Sequence, residues 1–150
     1  MEQMIRGQYI NQGEDLTPVL KIREAVFGTA SDEKDQEAVN LLVSLVEHAQ
    51  DEGVAVGCGR LNLDIENFRF TIDRLGILDT FRKKGYGEFA LRALVDKASQ
   101  CGADRVYIEK EKILTQEAQD FFRRMFFLPS EEENGRFLTA EIASFHTCCH

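Results

Sequence analysis

Apolar positions recur along the chain in two patterns, alternation and helical spacing. Segments of alternating or β-branched apolar residues predict six strands, and apolar residues at helical spacing predict three helices. The predicted strands cover residues 4–10, 40–46, 54–61, 68–78, 104–109 and 136–143. The predicted helices run from about Thr17 to Gly28, from Gly85 to Gly102 and from about Thr115 to Phe127, and the polar stretch 31–37 predicts a loop or short helix.

The order of these elements determines the predicted fold class. Four strands come first in hairpin order and a strand–helix–strand crossover follows, which favours a mixed sheet in an α+β domain. No repeat, proline-rich linker or low-complexity tract interrupts the 150 residues, and Pro18 and Pro129 lie near helix ends. Residues 1–150 are therefore predicted to form a single domain.

Composition and charge exclude some classes of binding partner for this chain. Hydrophobic residues make up 43% of the chain and charged residues 29%, which is typical of a folded globule rather than a disordered chain. The formal net charge of -8 would repel a phosphate backbone, so no nucleic-acid partner is expected. No apolar run approaches the about 20 residues that span a bilayer, and the start of the chain lacks the features of a signal peptide. We therefore expect a cytoplasmic protein without a membrane partner.

The four cysteines predict reduced thiols rather than a disulfide framework. Cys58 and Cys101 are distant in sequence from the pair Cys148 and Cys149, and the spacing matches no framework. The tail from His146 to His150 contains zinc-ligand residue types, but structural zinc sites use spaced pairs whose four ligands can converge. A partly ordered terminus is the favoured interpretation, and no metal site is predicted.

The junction between the fourth strand and the second helix carries the clearest chemical signal. Arg82, Lys83 and Lys84 precede Gly85 and Gly87 at the start of the helix. Glycines let a ligand approach the backbone, and the first N–H groups of a helix lack intrahelical acceptors at the positive end of its dipole. A pyrophosphate fits this combination, and a glycine turn with solvated basic residues is the structural alternative. The spacing matches neither a P-loop nor a three-glycine dinucleotide fingerprint.

The hexapeptide Arg82-Lys83-Lys84-Gly85-Tyr86-Gly87 resembles the acetyl-CoA signature of the GNAT superfamily of N-acetyltransferases. In that signature Arg or Gln is followed by two residues, Gly, any residue, and Gly or Ala. The motif here lies between an apolar strand and an amphipathic helix, as it does in the family. The resemblance extends over roughly residues 4–128.

This resemblance implies a fold and a co-substrate. The fold would be a mostly antiparallel central sheet flanked by helices, with a splay between strands four and five. Acetyl-CoA would be the co-substrate, with its pyrophosphate on the backbone N–H groups from Arg82 to Gly87. Its pantetheine arm would lie along Leu75, Gly76 and Ile77, with the N–H and C=O of Ile77 bound to it as in an added strand.

Two departures from the family pattern concern the third helix. Many members carry Asn, Ala and Tyr there, and the Tyr donates a proton or a hydrogen bond to the departing sulfur. The matching positions here are Thr115, Ala118 and Phe122, so the resemblance places these residues beside the cofactor but without a phenol. The end of the helix, usually Leu-Gly-Phe, is Met125-Phe126-Phe127. Core packing of the adjacent phenylalanines is the structural alternative.

The acceptor amine is protonated in water and needs a base near the acetyl group before it can attack a thioester. Asp73 on the fourth strand is the first candidate, because family members often place an acidic residue there, and Glu109 on the fifth strand is the second. Thr71 holds another position that the family often uses, on the same strand face as Asp73 if no bulge intervenes. Pairing of Asp73 with Arg69, Arg74 or another surface cation is the structural alternative.

Together these features predict an N-acetyltransferase that moves an acetyl group from acetyl-CoA to a primary amine by direct attack. The alternative is a catalytically weak or silent acyl-CoA-binding module, and a domain whose glycine turn binds nothing is a third. The acceptor is expected to be a small-molecule or peptide amine, and a homodimer is compatible with the sequence. The acidic clusters 32–37 and 131–133 indicate solvated loops or an acidic rim that attracts a cationic amine.

Overall fold

The computed structural model describes residues 3–147. Strands and helices alternate unevenly along this part of the chain, and four short 3-10 turns lie between them. The elements are β1 (Met4–Ile10), α1 (Thr17–Phe27), β2 (Val39–Val46), β3 (Val54–Asp64), β4 (Arg69–Ile77), α2 (Tyr86–Gln100), β5 (Arg105–Glu109), α3 (Gln116–Arg124), β6 (Leu128–Pro129), β7 (Phe137–Glu141) and α4 (Ile142–Thr147).

The strands form one seven-stranded sheet in the order β1-β2-β3-β4-β5-β7-β6. Every neighbouring pair is antiparallel except β4 and β5, which are parallel and joined by the crossover helix α2. The predicted α+β class with a mixed, mostly antiparallel sheet is confirmed. Sequence patterning missed β6, because its two residues carry no alternation.

Helices cover both faces of the sheet, which explains the nearly continuous apolar run in β2. Leu41 and Val43 belong to the core cluster that also contains Leu94 of α2, whereas Leu42 packs in a second cluster with Ile22 of α1. Successive strand residues point to opposite faces, so a strand buried on both faces needs apolar residues at consecutive positions. The sheet is therefore the middle layer between α1 and α2.

Strands β4 and β5 touch at one point and then separate. Their parallel ladder contains the single pair Thr71–Tyr107 among the described residues. Farther along β4, two residues, Arg74 and Leu75, lie opposite the one residue Gly59 of β3, and Arg74 has a φ of 51°. This is a β-bulge, which bends a strand and raises its twist. The splay expected between strands four and five is present, beyond the paired residue.

Helix α3 ends earlier than its apolar spacing predicts. It was expected to reach Phe127, but Phe126 has a left-handed φ of 74°. The N–H of Phe126 donates to Arg123 O and the N–H of Phe127 to Phe122 O, which together form a Schellman cap. Glycine is the usual residue at this left-handed position, so Phe126 stands where the family has the Gly of Leu-Gly-Phe.

The last predicted strand, 136–143, is too long at its C-terminal end. β7 ends at Glu141, and α4 begins at Ile142. The Ile142 N–H donates to Asp104 O at 2.9 Å, so the chain leaves the sheet where it is tied to the loop before β5. A hydrogen bond between residues so far apart in sequence leaves no periodic signal, because periodicity reports only local geometry.

We predict that Gly59→Ala destabilises the fold because β3 and α2 are in close contact there. An ideal Cβ at Gly59 would lie 2.7 Å from Cδ1 of Leu94 and 3.3 Å from Cδ1 of Leu75. Overpacking of this kind costs about 1–3 kcal/mol, which urea unfolding would measure. In a Leu94→Ala background the same change should cost much less, because the clashing methyl group is absent. Strictly additive effects in this double-mutant cycle would contradict the close contact.

Candidate functional site

The turn between β4 and α2 presents a run of unpaired backbone donors. Among the described residues, the N–H groups of residues 83–88 have neither a backbone nor a side-chain acceptor. Helix α2 follows Gly85, which has a φ of 84° and provides no side-chain cap, so the first turn keeps its donors and its positive dipole end. Such a run of N–H groups can bind the oxygens of a phosphate or pyrophosphate.

Gly85 leaves this turn open to a ligand. Apart from its chain neighbours, no described atom lies within 4 Å of an ideal Cβ at Gly85, and its positive φ strains any L side chain placed there. Arg82, Lys83 and Lys84 are exposed next to it, and Arg82 Nε donates to the carbonyl of Ile77 at 3.3 Å. These cations create a local positive field on a chain with a net charge of -8.

The strand that leads into the turn has one free edge. Leu78 donates its N–H to Val56 O on β3 at 2.8 Å. Because the backbone groups of successive strand residues alternate in direction, the N–H and C=O of Ile77 point away from β3, toward the gap beside β5. Within residues 3–147, the β4–β5 ladder offers this part of β4 no strand partner. An extended ligand chain can therefore pair with Ile77 as an added strand would.

Helix α3 reaches this turn through Phe121. An ideal Cβ at Gly87 would be 3.8 Å from Cζ of Phe121 and 3.9 Å from Cγ1 of Ile77. The Phe122 ring instead packs edge-on against Phe121 and Phe127, at centroid distances of 5.2 and 5.7 Å. The contact between Phe122 and Phe127 is the apolar contact that accompanies a Schellman cap.

Thr115 and Ala118, the other two motif positions of the third helix, lie in its first turn. Thr115 is the N-cap of α3, and its Oγ1 accepts a hydrogen bond from the N–H of Ala118 at 3.1 Å. An N-cap threonine of this kind stabilises a helix by about 1 kcal/mol. The first motif position thus has a structural role of its own in this chain.

A cavity of about 370 Å³ opens beside the first residues of β4 and the end of β5, next to the Thr71–Tyr107 contact. Its volume is at the lower end of the range for small-molecule sites. Thr71 and Glu109, which the sequence analysis singled out, both line it. The rest of the polar wall is made of cationic, acidic and amide side chains: Lys34, Glu37, Asn62, Asp64, Asn67, Arg69, Glu133 and Arg136.

Asp73 lies behind this cavity in a saturated set of hydrogen bonds. Its carboxylate accepts from Nε and Nη2 of Arg60, both at 2.8 Å, from Asn62 at 3.0 Å and from Lys112 at 3.1 Å. Burial alone would raise the pKa of Asp73, but the hydrogen bonds and the charge of Arg60 outweigh burial and hold the pKa well below its usual range. Asp73 is thus paired with the buried Arg60 and with Lys112, another surface cation, and not with Arg69 or Arg74.

Thr71 and Asp73 share one face of β4, as expected for a stretch without a bulge. Their register opposite β3 is continuous, and the bulge begins only after Asp73. The Nδ2 group of Asn62 lies 3.4 Å from Thr71 Oγ1 and 3.0 Å from Asp73 Oδ1. Asn62 therefore links the cavity wall to the charged network behind it.

That network was not foreseen from the sequence. Arg23 and Arg60 have fully buried side chains, and both contact Asp35, at 2.7 and 3.1 Å. Arg60 also contacts Asp32 at 2.6 Å. The interpretation of segment 32–37 as a solvated loop or acidic rim is therefore wrong for these two aspartates, which point inward to neutralise buried cations. An arginine among the apolar positions of β3 was the only sequence signal, and its partners are too distant along the chain to be paired by spacing.

Glu109, at the end of β5, has weaker partners than Asp73. Its side chain is 10% exposed, and the nearest cationic atoms are Nη2 of Arg136 at 3.4 Å and Nζ of Lys112 at 4.0 Å. Both separations exceed the about 2.7–2.9 Å of a strong charge-assisted hydrogen bond. The Glu109 carboxylate thus keeps acceptor capacity for an ammonium group in the cavity.

The described part of the chain shows neither a metal site nor a helix that could span a membrane. Across residues 3–147, no group of His, Cys, Asp or Glu side chains could hold a metal ion, and no helix is long and apolar enough to cross a membrane. Cys58 and Cys101 are free, and burial raises the pKa of the Cys58 thiol to about 11. The predictions about Cys148, Cys149 and His150 lie outside the described residues.

Comparison with known proteins shows similarity to acetyltransferases. A family model described as the acetyltransferase (GNAT) family matches residues 14–127. An uncharacterized N-acetyltransferase of Bacillus subtilis, CgeE, is 26% identical over 133 residues, which are 82% of this chain and 50% of that protein. The chain therefore spans about half the length of this curated relative.

Solved structures share the fold. The crystal structure of Escherichia coli ElaA has a TM-score of 0.70 and 19% identity, covering 92% of this chain and 100% of that one. A GNAT family acetyltransferase from Elizabethkingia anophelis with acetyl-CoA bound has a TM-score of 0.66 and 14% identity, covering 91% of this chain and 97% of that one. At these identities the similarity establishes the fold alone.

We predict that the buried charge network makes stability sensitive to acid. Despite burial, hydrogen bonds and charge from Arg60 lower the pKa of Asp32 to about 2, and the pKa values of Asp35 and Asp73 are also lowered. A carboxyl with a lower pKa in the folded chain adds stability above its unfolded pKa, and this stability is lost as pH falls through the folded pKa. The free energy of unfolding from urea titrations should therefore fall between about pH 4 and pH 2.

The matched variants for this measurement are Asp32→Asn and Asp79→Asn. Asp32→Asn should flatten the fall between pH 4 and pH 2, because one of the responsible carboxyls is removed. Asp79 has a side chain that is 93% exposed, so Asp79→Asn should leave the slope unchanged. An identical slope in wild type and Asp32→Asn would contradict the role of the network.

Proposed function

We propose that this chain, which belongs to the acetyltransferase (GNAT) family, is an acyltransferase that uses acetyl-CoA and acetylates a primary amine by direct attack on the thioester. No covalent enzyme intermediate is involved in this proposal. The catalytically silent acyl-CoA-binding module remains the alternative, and it is favoured by the missing phenol at Phe122 and by the altered helix end Met125-Phe126-Phe127.

The observation that carries the proposal is that two backbone surfaces without backbone partners follow each other along the chain, with the Ile77 carbonyl accepting from the Arg82 side chain. The N–H groups of residues 83–88 lack acceptors within the described chain, and Ile77, just before them, turns its backbone groups toward the gap beside β5. The first surface suits a pyrophosphate and the second an extended amide-bearing arm. Acetyl-CoA combines both chemical parts in one molecule, so these residues fit it.

We place the acceptor amine in the cavity beside Thr71 and Glu109. Acetyl-CoA supplies a thioester whose carbonyl carbon the amine attacks. Glu109 accepts the proton that converts the bound ammonium into the attacking amine. A C–N bond then forms as the C–S bond breaks, and the second proton passes from the nitrogen through water to the departing thiolate. Glu109 is favoured over Asp73 as the base because the Asp73 carboxylate is already saturated by four hydrogen bonds. Asp73 acts instead as a positioning residue that fixes Asn62 and Lys112.

The departing thiolate receives its proton from water in this proposal. The Phe122 ring has no donor, and it packs on Phe127 at the end of α3. Tyr107 is buried, its ring lying 5.6 Å from that of Phe137 and 5.2 Å from the guanidinium of Arg69, on the cavity side of the sheet. A thiol with a pKa near the about 8.5 of cysteine is a fair leaving group, so turnover does not require a phenol.

Binding of acetyl-CoA tests the backbone cradle. Gly85→Val should raise the Kd by at least about 10-fold, because it fills the open face and strains a left-handed residue. Lys83→Ala should change the Kd by no more than about 5-fold, since it removes one exposed charge. Calorimetry on both variants, with thermal unfolding to confirm that each is folded, measures this. Equal losses of affinity would contradict a cradle made of backbone groups.

Rate measurements separate the two candidate bases. Glu109→Gln should lower kcat by about 10²-fold or more while the Kd for acetyl-CoA is unchanged. Asp73→Asn should act first on stability, lowering the free energy of unfolding by about 3–5 kcal/mol, because it leaves the buried Arg60 charge without its main partner. CoA-thiol release with a panel of amines provides kcat, and urea unfolding provides the stability.

Two outcomes would change this assignment. If Asp73→Asn stays folded and loses the rate while Glu109→Gln keeps it, Asp73 is the base. If wild-type protein binds acetyl-CoA but acetylates no member of a panel of small amines, peptides and aminoglycosides, the silent binding module replaces the enzyme.

A further inference from the structure

Two guanidinium groups lie over one aromatic ring at the wall of the cavity. The Cζ atom of Arg69 is 4.6 Å from the ring centroid of Phe137, and that of Arg136 is 5.0 Å from the same centroid. Arg69 is also 5.2 Å from the Tyr107 ring, and its side chain is only 12% exposed. The rings hold the guanidiniums in place, but two like charges so close together need an anion to offset their repulsion.

Glu109 lies 3.4 Å from Arg136 and Glu132 lies 3.8 Å from Arg69, but among the described residues it is Glu133, in the neighbouring turn, that contacts both cations. The Oε2 atom of Glu133 lies 3.3 Å from Nη1 of Arg69 and 3.4 Å from Nη1 of Arg136, so one carboxylate oxygen faces both cations. These contacts are long compared with the 2.6 and 2.8 Å that join Arg60 to Asp32 and Asp73. Short charge-assisted bonds are the strong ones, so the Glu133 contact is the weaker of the two types.

The backbone at Glu133 is in an unusual conformation, and its side chain is open to solvent. Glu133 has a left-handed φ of 49° without being glycine, and its side chain is 41% exposed. A non-glycine residue in this conformation is strained and is kept there by its surroundings, as often happens at sites that clamp ligands. Loss of the contact to Arg69 and Arg136 would let the turn relax.

We propose that Glu133 holds the place of a substrate carboxylate, and that the acceptor is a small amine that also carries a carboxylate, of the amino-acid class. The inference rests on the proposed acetyl transfer. The substrate carboxylate displaces Glu133 and binds Arg69 and Arg136, while the ammonium group lies at Glu109, which lines the same cavity. A fork-shaped guanidinium matches a carboxylate with two parallel hydrogen bonds.

The part of the wall formed by Arg69 and Arg136 disfavours the other classes of amine, while Glu37 and Asp64 also line the cavity. A diamine or polyamine would bring a second cation toward Arg69 and Arg136, which repel it. A substrate that lacks the carboxylate leaves Glu133 in place, so it must bind beside an occupied subsite. The cavity of about 370 Å³ suits a compact molecule more than a long chain.

The first experiment compares matched acceptors. Each common amino acid is assayed against its own C-terminal amide and against the decarboxylated amine, with CoA-thiol release providing kcat/KM. Short diamines form a further arm. For the preferred acceptor, the free carboxylate should give a kcat/KM at least about 10-fold above that of the amide, because the amide cannot pair with the two guanidiniums.

The second experiment changes Glu133, the residue proposed to hold the place of the substrate carboxylate. Glu133→Gln should lower the KM for the carboxylate-bearing acceptor several-fold, because the internal competitor loses its charge, whereas Arg69→Gln should raise that KM by about 10-fold or more. Neither variant should alter the Kd for acetyl-CoA. The matched control is Glu131→Gln, which removes the same charge from the same loop, where Glu131 makes no ion pair among the described residues.

The results of these experiments can overturn the carboxylate subsite without overturning the proposed acetyl transfer. Acetylation of amides or diamines as well as of amino acids would overturn the inference and leave the transfer intact. If nothing is acetylated, calorimetry of the acetyl-CoA complex with the same amino acids decides the point: binding that Arg69→Gln weakens supports the carboxylate subsite, and no binding overturns it. A rise in KM for Glu133→Gln would also overturn it.

Discussion

The buried guanidinium of Arg60 is the constraint on which the rest of the site depends. It lies in the middle of the sheet with no exposed side-chain surface, and it donates to three aspartates from two parts of the chain. Removing such a charge from water costs several kcal/mol, and only close, well-aligned carboxylates offset that cost. The loop that carries Asp32 and Asp35 is therefore held against β3, and Asp73 is held at the back of the cavity.

The bulge in β4 separates two parts of the strand, one beside the cavity at Thr71 and one beside the gap at Ile77. Before the bulge, Thr71 pairs with Tyr107 and its neighbours line the cavity, where the proposed acceptor binds. After the bulge, Ile77 has no strand partner on the β5 side among the described residues. The chain then passes into the turn whose N–H groups are unpaired within the described residues. The same strand thus borders both the proposed acetyl-CoA site and the cavity proposed for the acceptor amine. This geometry suits direct transfer, since both partners must be in contact for attack.

The ion pairs of Arg60 differ from those of Arg69 and Arg136, and the difference indicates different roles. Around Arg60 the separations are short and the partners buried, as expected for fixed structural charges. Around Arg69 and Arg136 they are longer, and Glu133, the carboxylate that contacts both arginines, is exposed on a turn with a left-handed residue. A binding site needs charges that are placed in advance but can exchange partners, because a ligand must compete with whatever neutralises them. The difference in length and exposure is what separates Asp73 from Glu133.

Local pattern determined much of this protein. Strand and helix periodicity located the main elements, and the glycines after Arg82 indicated the anion-binding turn, because a helix start and its orphan donors depend only on neighbouring residues. Tertiary structure decided the remainder. Whether Asp73 or Glu109 keeps free acceptor capacity depends on Arg60, and the subsite on Phe137 joins residues from β4, β7 and the turn at 132–135. Hydrogen bonds and charges act through space over a few ångströms, so partners distant along the chain are assigned only once it has folded.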